Sequence, residues 1–248
     1  MENGMYLIAG KRILVQSIWP DVHRFCADYR TEDGTPDLTV TVTQEQIEFE
    51  REKSRRERAA EGLPPLNSSD ASLEELAVYR RIAEKMPDYD TILMHGSLLA
   101  ADGEGYLFTA NSGTGKSTHT RLWREMLGDR AVTVNDDKPL FAVGETGVTG
   151  YGTPYNGKHR LGCNMSVPLK AICILTRAAE NRIVRITKAE AYPMLLQQVY
   201  RPQDAGQMKK TLTLLDRLAA HTAFYRLGCN MEPEAAEVAY NGMKGGTV

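Results

Sequence analysis

Apolar and polar positions follow a short period in the first part of the chain. Three runs rich in apolar or β-branched side chains are separated by turn residues, at 6–8, 12–15 and 38–43. Alternation of this kind, bounded by residues such as Ala9-Gly10-Lys11, predicts strands. The start of the chain is therefore expected to form a small β-rich layer.

The pattern changes after residue 43. Residues 44–62 mix acidic and basic side chains densely and then run into Leu63-Pro64-Pro65, which predicts an exposed segment that ends at a linker. Residues 71–86 carry apolar side chains at helical spacing behind the N-cap candidates Ser69 and Asp70, which predicts a helix. Residues 1–88 are therefore predicted to be a β-rich N-terminal segment with a charged linker and a helix.

From residue 89 onward, short apolar strands alternate with helical patterns. The predicted strands are 91–94, 106–110, 131–134, 169–175 and 223–227. The predicted helices are 117–127, 189–199, 211–220 and a last helix after Pro233. This alternation is typical of a nucleotide-binding α/β core. Residues 89–248 are therefore predicted to be a single α/β core.

A phosphate-binding loop lies between one predicted strand and the helix that follows it. The loop matches GxxxxGK[ST] except that Ala110 takes the first glycine position. Glycines permit a nest of inward-pointing amides, and the helix adds its positive end. Lys116 would contact the phosphates and Ser117 would bind Mg²⁺. The expected nucleotide-binding residues are Asn111, Ser112, Gly113, Thr114, Gly115, Lys116, Ser117 and Thr118. The sequence therefore predicts that the chain binds ATP with Mg²⁺.

Acidic and basic residues follow the other predicted strands. Asp136 and Asp137 end the strand at 131–134, where one carboxylate could hold Mg²⁺ and the other could accept a proton from an attacking alcohol. His95 follows the strand at 91–94 and could reach the same edge of the sheet. The glycine-rich stretch that contains Lys158, His159 and Arg160 could close over phosphate or bind an acceptor.

Composition excludes several other classes of protein. The formal net charge is −2, from 30 basic and 32 acidic residues, so no global attraction to nucleic acid or anionic lipid is expected. The four cysteines are scattered without a CxxC pair, which indicates buried free thiols rather than a zinc site or disulfides. The start of the chain lacks the pattern of a secretion signal, so a cytoplasmic location without membrane association is expected.

Three motifs, taken in order, resemble one known family. His95-Gly96, SGTGKST at 112–118 and Asn135-Asp136-Asp137 are similar to the catalytic core of the HPr kinase/phosphorylase family. The phosphate loop of that family is related in fold to the loop of phosphoenolpyruvate carboxykinase. The resemblance covers residues 91–175, about a third of the chain. It implies a carboxykinase-like P-loop core with a mixed sheet and flanking helices, and it implies a homo-oligomer.

The resemblance also assigns roles to residues. It implies that Lys116 binds phosphate, that Ser117 and Asp136 bind the metal, and that His95 is the active-site histidine. Asp137 is the expected base, although the spacing does not distinguish it from Asp136. The family's signature after the aspartates is only loosely echoed by residues 159–168, a region that helps to engage the protein substrate in HPr kinases. A different hydroxyl acceptor is therefore expected.

The resulting hypothesis is a kinase that moves the γ-phosphoryl group of ATP to a hydroxyl. The acceptor would be a serine of a small protein or peptide, or an alcohol of a metabolite. Two alternatives stay open at the level of the sequence. One is a nucleotide-binding regulatory module without transferase activity. The other is a carboxykinase-like enzyme, for which Lys158 and Arg160 are the candidate residues that would grip a carboxylate.

Overall fold

The structure is a computed structural model that describes residues 1–32, 34–157 and 159–245. The chain divides into two compact units, Met1–Lys85 and Met86–Val248. The boundary expected from the sequence lay between residues 88 and 89. Over the described ranges, no helix combines the length and the apolar character needed to cross a membrane. In the same ranges the four cysteines are free thiols; Cys26 and Cys173 are buried, whereas Cys163 and Cys229 are only half-buried.

The first unit is a small sheet with helices. Its strands are β1 (Glu2–Ile8), β2 (Lys11–Ser17) and β3 (Leu38–Thr41). Its helices are α1 (Asp21–Phe25), α2 (Gln44–Ala60) and α3 (Asp70–Lys85). β1 and β2 form an antiparallel hairpin whose turn residues, Ala9 and Gly10, both have positive φ. β3 pairs with β2 in parallel.

The exposed charged segment expected at residues 44–62 is largely helix α2, which was not predicted as a helix. Thr43 and Gln46 form a capping box that satisfies free amides at the start of the helix. Ile47 and Glu50 are buried, while most of the other side chains are exposed or half-buried. The dense charges therefore belong to the solvent side of a helix. The spacing of Thr43 and Gln46 was the sequence signal for its start.

The second unit contains the remaining strands and helices. Its strands are β4 (Thr91–Leu93), β5 (Ser97–Ala101), β6 (Glu104–Thr109), β7 (Ala131–Asn135), β8 (Leu140–Val143), β9 (Val148–Tyr151), β10 (Ser166–Arg177), β11 (Arg182–Ile186) and β12 (Ala223–Cys229). Its helices are α4 (Lys116–Leu127), α5 (Lys188–Gln198), α6 (Ala205–Ala220) and α7 (Glu234–Lys244). Strands β5, β8, β9 and β11 were not expected from the sequence.

A mixed sheet forms the centre of the second unit. Within its described residues, seven strands run in the order β4-β8-β9-β10-β6-β5-β7, and β12 joins β10 and β11. β10 is parallel to both β6 and β12, whereas β5 is antiparallel to both β6 and β7. β6, β7, β10 and β12 therefore all end at one edge of the sheet. The molecule is an α/β protein with a mixed sheet and flanking helices.

Alternating side chains of the sheet pack against helices on both faces. On β10, Ile172 and Ile174 join a core with residues of α5 and α6, while Cys173 and Leu175 join a core with α4 and α7. Trp123 of α4 is fully buried in the second core. Burial on both faces fixes the strand ends in space. It thereby positions the loops that follow them.

Candidate functional site

The phosphate-binding loop connects β6 to α4, as expected from the sequence. Gly113 has a φ of 73° and Gly115 a φ of 115°, in the region that residues with a side chain rarely adopt. A Cβ at either glycine would meet no other heavy atom within 4 Å, so the backbone here faces open space. The loop is tied internally because Thr114 donates from its amide and its hydroxyl to the Asn111 carbonyl, at 3.3 and 2.9 Å.

The loop presents its polar groups where an anion could bind. Asn111, Ser112 and Ser117 are exposed, and Thr118 is half-buried at the first turn of α4. The first amides of that helix have no acceptor within the helix, and they carry the positive end of its dipole. The local geometry therefore fits a polyphosphate.

Lys116 is the first residue of α4, and it interacts electrostatically with Asp136 and Asp137, which we call the acid pair. Its Nζ donates to the Ala110 carbonyl at 3.4 Å, so the side chain folds back across the loop. Burial lowers the pKa of Lys116, while the negative charges of Asp137 and Asp136 oppose that change. Both carboxylates are therefore within electrostatic reach of the amine.

Asp136 is the more buried of the two acids, with 8% of its surface exposed. The Ser97 hydroxyl lies 2.8 Å from its Oδ1 and 3.2 Å from its backbone carbonyl. Ser97 begins β5, the strand between β6 and β7. A hydroxyl bond to one oxygen leaves the other carboxylate oxygen available, which suits a ligand that supplies one atom to a metal.

Asp137 is held by two basic side chains. His95 Nε2 lies 3.2 Å from its Oδ1, and Lys138 Nζ lies 2.7 Å from its Oδ2. Burial would raise the pKa of Asp137, but the hydrogen bond from His95 and the charge of Lys138 outweigh it and hold the pKa at about 2. Asp137 is therefore ionised at neutral pH.

Gln198 fixes the position and orientation of His95. The His95 amide donates to the Gln198 carbonyl at 2.8 Å, and its Nδ1 lies 2.9 Å from Gln198 Oε1. Both ring nitrogens thus face side-chain oxygens, that of Gln198 on one side and that of Asp137 on the other. The Gln198 amide nitrogen lies 3.6 Å from the Met194 sulfur, which favours this orientation of the amide. Gln198 therefore directs Nε2 of His95 toward Asp137.

Asn135 shapes the turn that carries the acids. It is fully buried, and its Oδ1 accepts from the amides of Asp137 and Lys138 at 2.9 and 2.7 Å. Its Nδ2 donates to Thr153 Oγ1 at 2.9 Å. An Asx turn of this kind fixes the direction of the residues after the strand.

Gly96 allows the chain to pass close to β6. A Cβ at this position would lie 2.7 Å from Leu107 Cδ1 and 2.9 Å from the Phe108 carbonyl oxygen. The Gly96 amide also donates to the Asp137 carbonyl at 3.0 Å. This close approach places His95 beside the acid turn, which is formed by residues 135–138.

Four contacts of the site were not expected from the sequence. Lys138 and Ser97 hold the two aspartates, Gln198 holds His95, and Arg177 donates to the Gly113 carbonyl at 2.5 Å. Lys138 directly follows Asp137 in the sequence, so of these contacts only its contact with Asp137 could have been suspected from the sequence. Arg177 ends β10 and Gln198 ends α5, and neither carries a motif.

The basic loop is only partly described. Lys158 lies outside the described residues. His159 and Arg160 are exposed, and Arg160 has a φ of 48°. A Cβ at Gly157 would lie 3.3 Å from Asp137 Cβ, so the loop passes directly beside the acid turn.

The carboxylate and hydroxyl groups of the site suit a metal ion that takes most of its other ligands from phosphate oxygens and water. Within residues 1–32, 34–157 and 159–245, no group of three or more His, Cys, Asp or Glu side chains could hold an ion. Mg²⁺ typically uses one or two carboxylates together with phosphate oxygens and water. Asp136 and the exposed Ser117 hydroxyl fit that pattern.

Comparisons with known proteins identify a family. A family model described as SynChlorMet cassette protein ScmC matches residues 67–226. No curated protein matches the chain. The solved structure of the Hpr(Ser) kinase/phosphatase from Coxiella burnetii matches with 11% identity and a TM-score of 0.35, covering 60% of this chain and 95% of that chain. A TM-score this low supports no conclusion. Because the family model spans well over half of the 248 residues, the chain belongs to the ScmC family of SynChlorMet cassette proteins.

Proposed function

We propose that the chain is an ATP- and Mg²⁺-dependent kinase that transfers the γ-phosphoryl group to a hydroxyl. The acceptor would be a serine of a small protein or peptide, or the alcohol of a metabolite. One observation carries the proposal. The strand that leads into the open glycine loop is tied to the residue that contacts Asp137, because the Thr109 hydroxyl donates to the His95 carbonyl at 3.1 Å and His95 Nε2 lies 3.2 Å from Asp137 Oδ1. A phosphate chain in the loop would therefore end beside a pair of carboxylates.

The loop supplies the groups that bind the nucleotide. The amides of residues 111–118 and the start of α4 would hold the phosphates, and Lys116 would neutralise part of their charge. Ser117 and Asp136 would hold Mg²⁺, which when bound supplies further positive charge to the phosphate oxygens. The hydrogen bond from Ser97 keeps Asp136 in place for this role.

Asp137 would take the proton of the acceptor hydroxyl as the hydroxyl oxygen bonds to the γ-phosphorus and the bond from that phosphorus to the β,γ-bridging oxygen breaks, with ADP as the leaving group. A carboxyl whose pKa is about 2 is ionised but weakly basic. Phosphate charge beside it would raise that pKa, and a loose transition state needs little proton transfer early in the reaction. His95 and Lys138 keep the carboxylate ionised and oriented until the acceptor arrives.

The low pKa of Asp137 also favours a second candidate, a nucleotide-binding regulatory module. The ion pair with Lys138 and the contact with His95 hold Asp137 in a stable cluster, and such a cluster can serve binding without turnover. In that case the acid pair would hold only the metal. Loss of Asp137 would then weaken nucleotide binding rather than a chemical step.

The proposal includes the relationship to the HPr kinase/phosphorylase family that the motifs led us to expect. A carboxykinase-like P-loop core of the HPr kinase/phosphorylase type would explain the order of His95, the loop and the acid pair. Self-association into a homo-oligomer belongs to the same proposal. Neither a nucleic acid nor a membrane is proposed as a partner.

The kinase proposal can be tested with γ-labelled ATP and extracts separated into proteins and metabolites. Label should move to one fraction with the parent protein. Lys116→Ala should abolish nucleotide binding, and Asp137→Asn should keep binding but lower transfer by about a hundredfold or more. The exposed Lys209 and Asp129 provide matched controls, as Lys209→Ala and Asp129→Asn. Transfer at the parent rate in both site variants would refute the proposal, and binding lost with Asp137→Asn would favour the regulatory module.

A further inference from the structure

The ammonium group of Lys138 contacts one oxygen of the candidate base. Its Nζ lies 2.7 Å from Asp137 Oδ2, while His95 Nε2 lies 3.2 Å from Asp137 Oδ1. Each oxygen of this carboxylate is therefore in contact with a side-chain nitrogen. In the proposed reaction the acceptor hydroxyl has to donate to one of the same two oxygens. The ammonium group and the acceptor hydroxyl thus compete for the lone pairs of Asp137.

The two groups on Asp137 differ in how firmly they are held. The amide and Nδ1 of His95 are both bonded to Gln198, and its carbonyl accepts from the Thr109 hydroxyl at 3.1 Å. The Lys138 side chain is 40% exposed, against 25% for Asp137, and its ammonium group sits at the end of a flexible four-carbon stem. Lys138 is therefore the partner that can leave the carboxylate.

The backbone of Lys138 is fixed while its side chain is able to move. Its amide donates to Asn135 Oδ1 at 2.7 Å, and its carbonyl accepts from Thr153 Oγ1 at 3.1 Å. Asn135 and Thr153 are both fully buried, and Asn135 Nδ2 donates to Thr153 Oγ1 at 2.9 Å. The ammonium group therefore swings about an anchored point in the acid turn.

A polyphosphate in the loop would offer this ammonium group a stronger partner than Asp137. The Gly96 amide donates to the Asp137 carbonyl at 3.0 Å, and a Cβ at Gly96 would lie 2.9 Å from the carbonyl oxygen of Phe108, on the strand that leads into the loop. Lys116 of the loop interacts electrostatically with the same carboxylate. A terminal phosphate carries more than one negative charge at neutral pH, and the attraction of a cation scales with that charge.

We infer that Lys138 is a catalytic residue that moves from Asp137 to the γ-phosphate when the nucleotide binds. The inference rests on the proposed kinase function and adds a second lysine to the chemical step. The move uncovers Oδ2 of Asp137 for the acceptor hydroxyl and brings positive charge to the oxygens of the transferred group. Lys138 thus holds Asp137 before the nucleotide binds, and His95 continues to hold it afterwards.

The step leaves Lys138 chemically unchanged. The acceptor oxygen bonds to the γ-phosphorus, the hydroxyl proton passes to Asp137, and ADP leaves with the electron pair of the broken bond to the β,γ-bridging oxygen. The ammonium group keeps its three protons and forms no covalent bond. Its contribution is electrostatic, and the base is uncovered only when a γ-phosphate is present.

The binding test compares MgATP with MgADP, which differ by the γ-phosphate, by titration calorimetry. Lys138→Met keeps a stem of similar length without the charge, so it should weaken MgATP binding by about tenfold and leave MgADP binding within about twofold. Asp137→Asn releases the ammonium group, so it should tighten MgATP binding by at least about threefold, and the gain should vanish in the double variant. Lys209→Met, at an exposed position in α6, is the control and should change neither affinity.

Transfer gives a second readout, with γ-labelled ATP and the extract fraction that accepts the label. At saturating MgATP, the single-turnover rate should fall by about a hundredfold in Lys138→Met. Lys138→Arg keeps the charge and should stay within about tenfold of the parent rate. Far-ultraviolet circular dichroism of each variant should match that of the parent protein.

The failures are distinguishable. A lysine that only neutralises the acid pair would give equal changes for MgATP and MgADP in Lys138→Met, and it would leave the Asp137→Asn gain intact in the double variant. Either result, or transfer at the parent rate in Lys138→Met, would overturn the inference while the proposed function stands. If the parent protein bound neither nucleotide, the proposed function would fail together with this inference.

Discussion

Asn135→Ala should destabilise the second unit and should also release the turn that holds Asp136 and Asp137 in place. The substitution removes two bonds accepted by Oδ1, at 2.9 and 2.7 Å, and the bonds donated by Nδ2, of which the shortest is 2.9 Å, to Thr153 Oγ1. Two backbone amides, those of Asp137 and Lys138, then lose their side-chain acceptor. An unsatisfied buried group costs about 1–3 kcal/mol, and the half-buried turn admits some water, so we expect a loss of about 2–4 kcal/mol.

Urea unfolding followed by circular dichroism measures this loss. The midpoint should fall while the slope of free energy against urea stays constant, because the native surface is unchanged. Asn67→Ala, at an exposed position, is the control and should change stability by less than about 0.5 kcal/mol. Phosphoryl transfer should fall further than the folded fraction predicts, because Asp137 loses its fixed direction. A loss below about 1 kcal/mol, or one equal to that of the control, would refute the assignment of Asn135 as the support of the turn.

Three further predictions concern single residues. Gly96→Ala should destabilise the protein by about 1–3 kcal/mol because its Cβ would meet Leu107 and the backbone of Phe108, whereas Gly147→Ala, with open space around it, should be close to neutral; equal melting temperatures would contradict this. Gln198→Leu should lower the transfer rate by about tenfold without changing nucleotide affinity, because His95 loses its orientation, and an unchanged rate would remove Gln198 from the site. Thr43→Ala should cost about 1 kcal/mol because α2 loses its capping box, and thermal unfolding that matches the parent protein would exclude that role.

The phosphate loop could be predicted because its geometry is local. Gly113, Gly115 and Lys116 lie within a few residues of one another, and the same peptide carries the strand before them and the helix after them. The placement of the acid pair at the same edge also followed from the strand that precedes it. Its role in catalysis stays a prediction.

Other parts of the site could not be predicted, because they depend on contacts between distant positions. Gln198 lies 103 residues from His95, and Arg177 lies 64 residues from Gly113. No periodicity in the sequence reports such pairs. β5 was missed for a different reason: its five residues are all buried, so no polar alternation marks it as a strand.

The position of β5 between β6 and β7 sets the width of the site. Two interstrand spacings of about 4.8 Å separate the strand of the phosphate loop from the strand of the acids, a span of roughly 10 Å. Ser97 opposes Phe108 on one side, and the pairing with β7 shifts between Leu98 and Leu99 on the other. A slip of one residue would turn Ser97 to the opposite face and release Asp136. The buried leucines of β5 therefore fix the register that places Ser97 beside Asp136. A variant that keeps its melting temperature could still have lost this contact, so thermal stability alone does not report on the site.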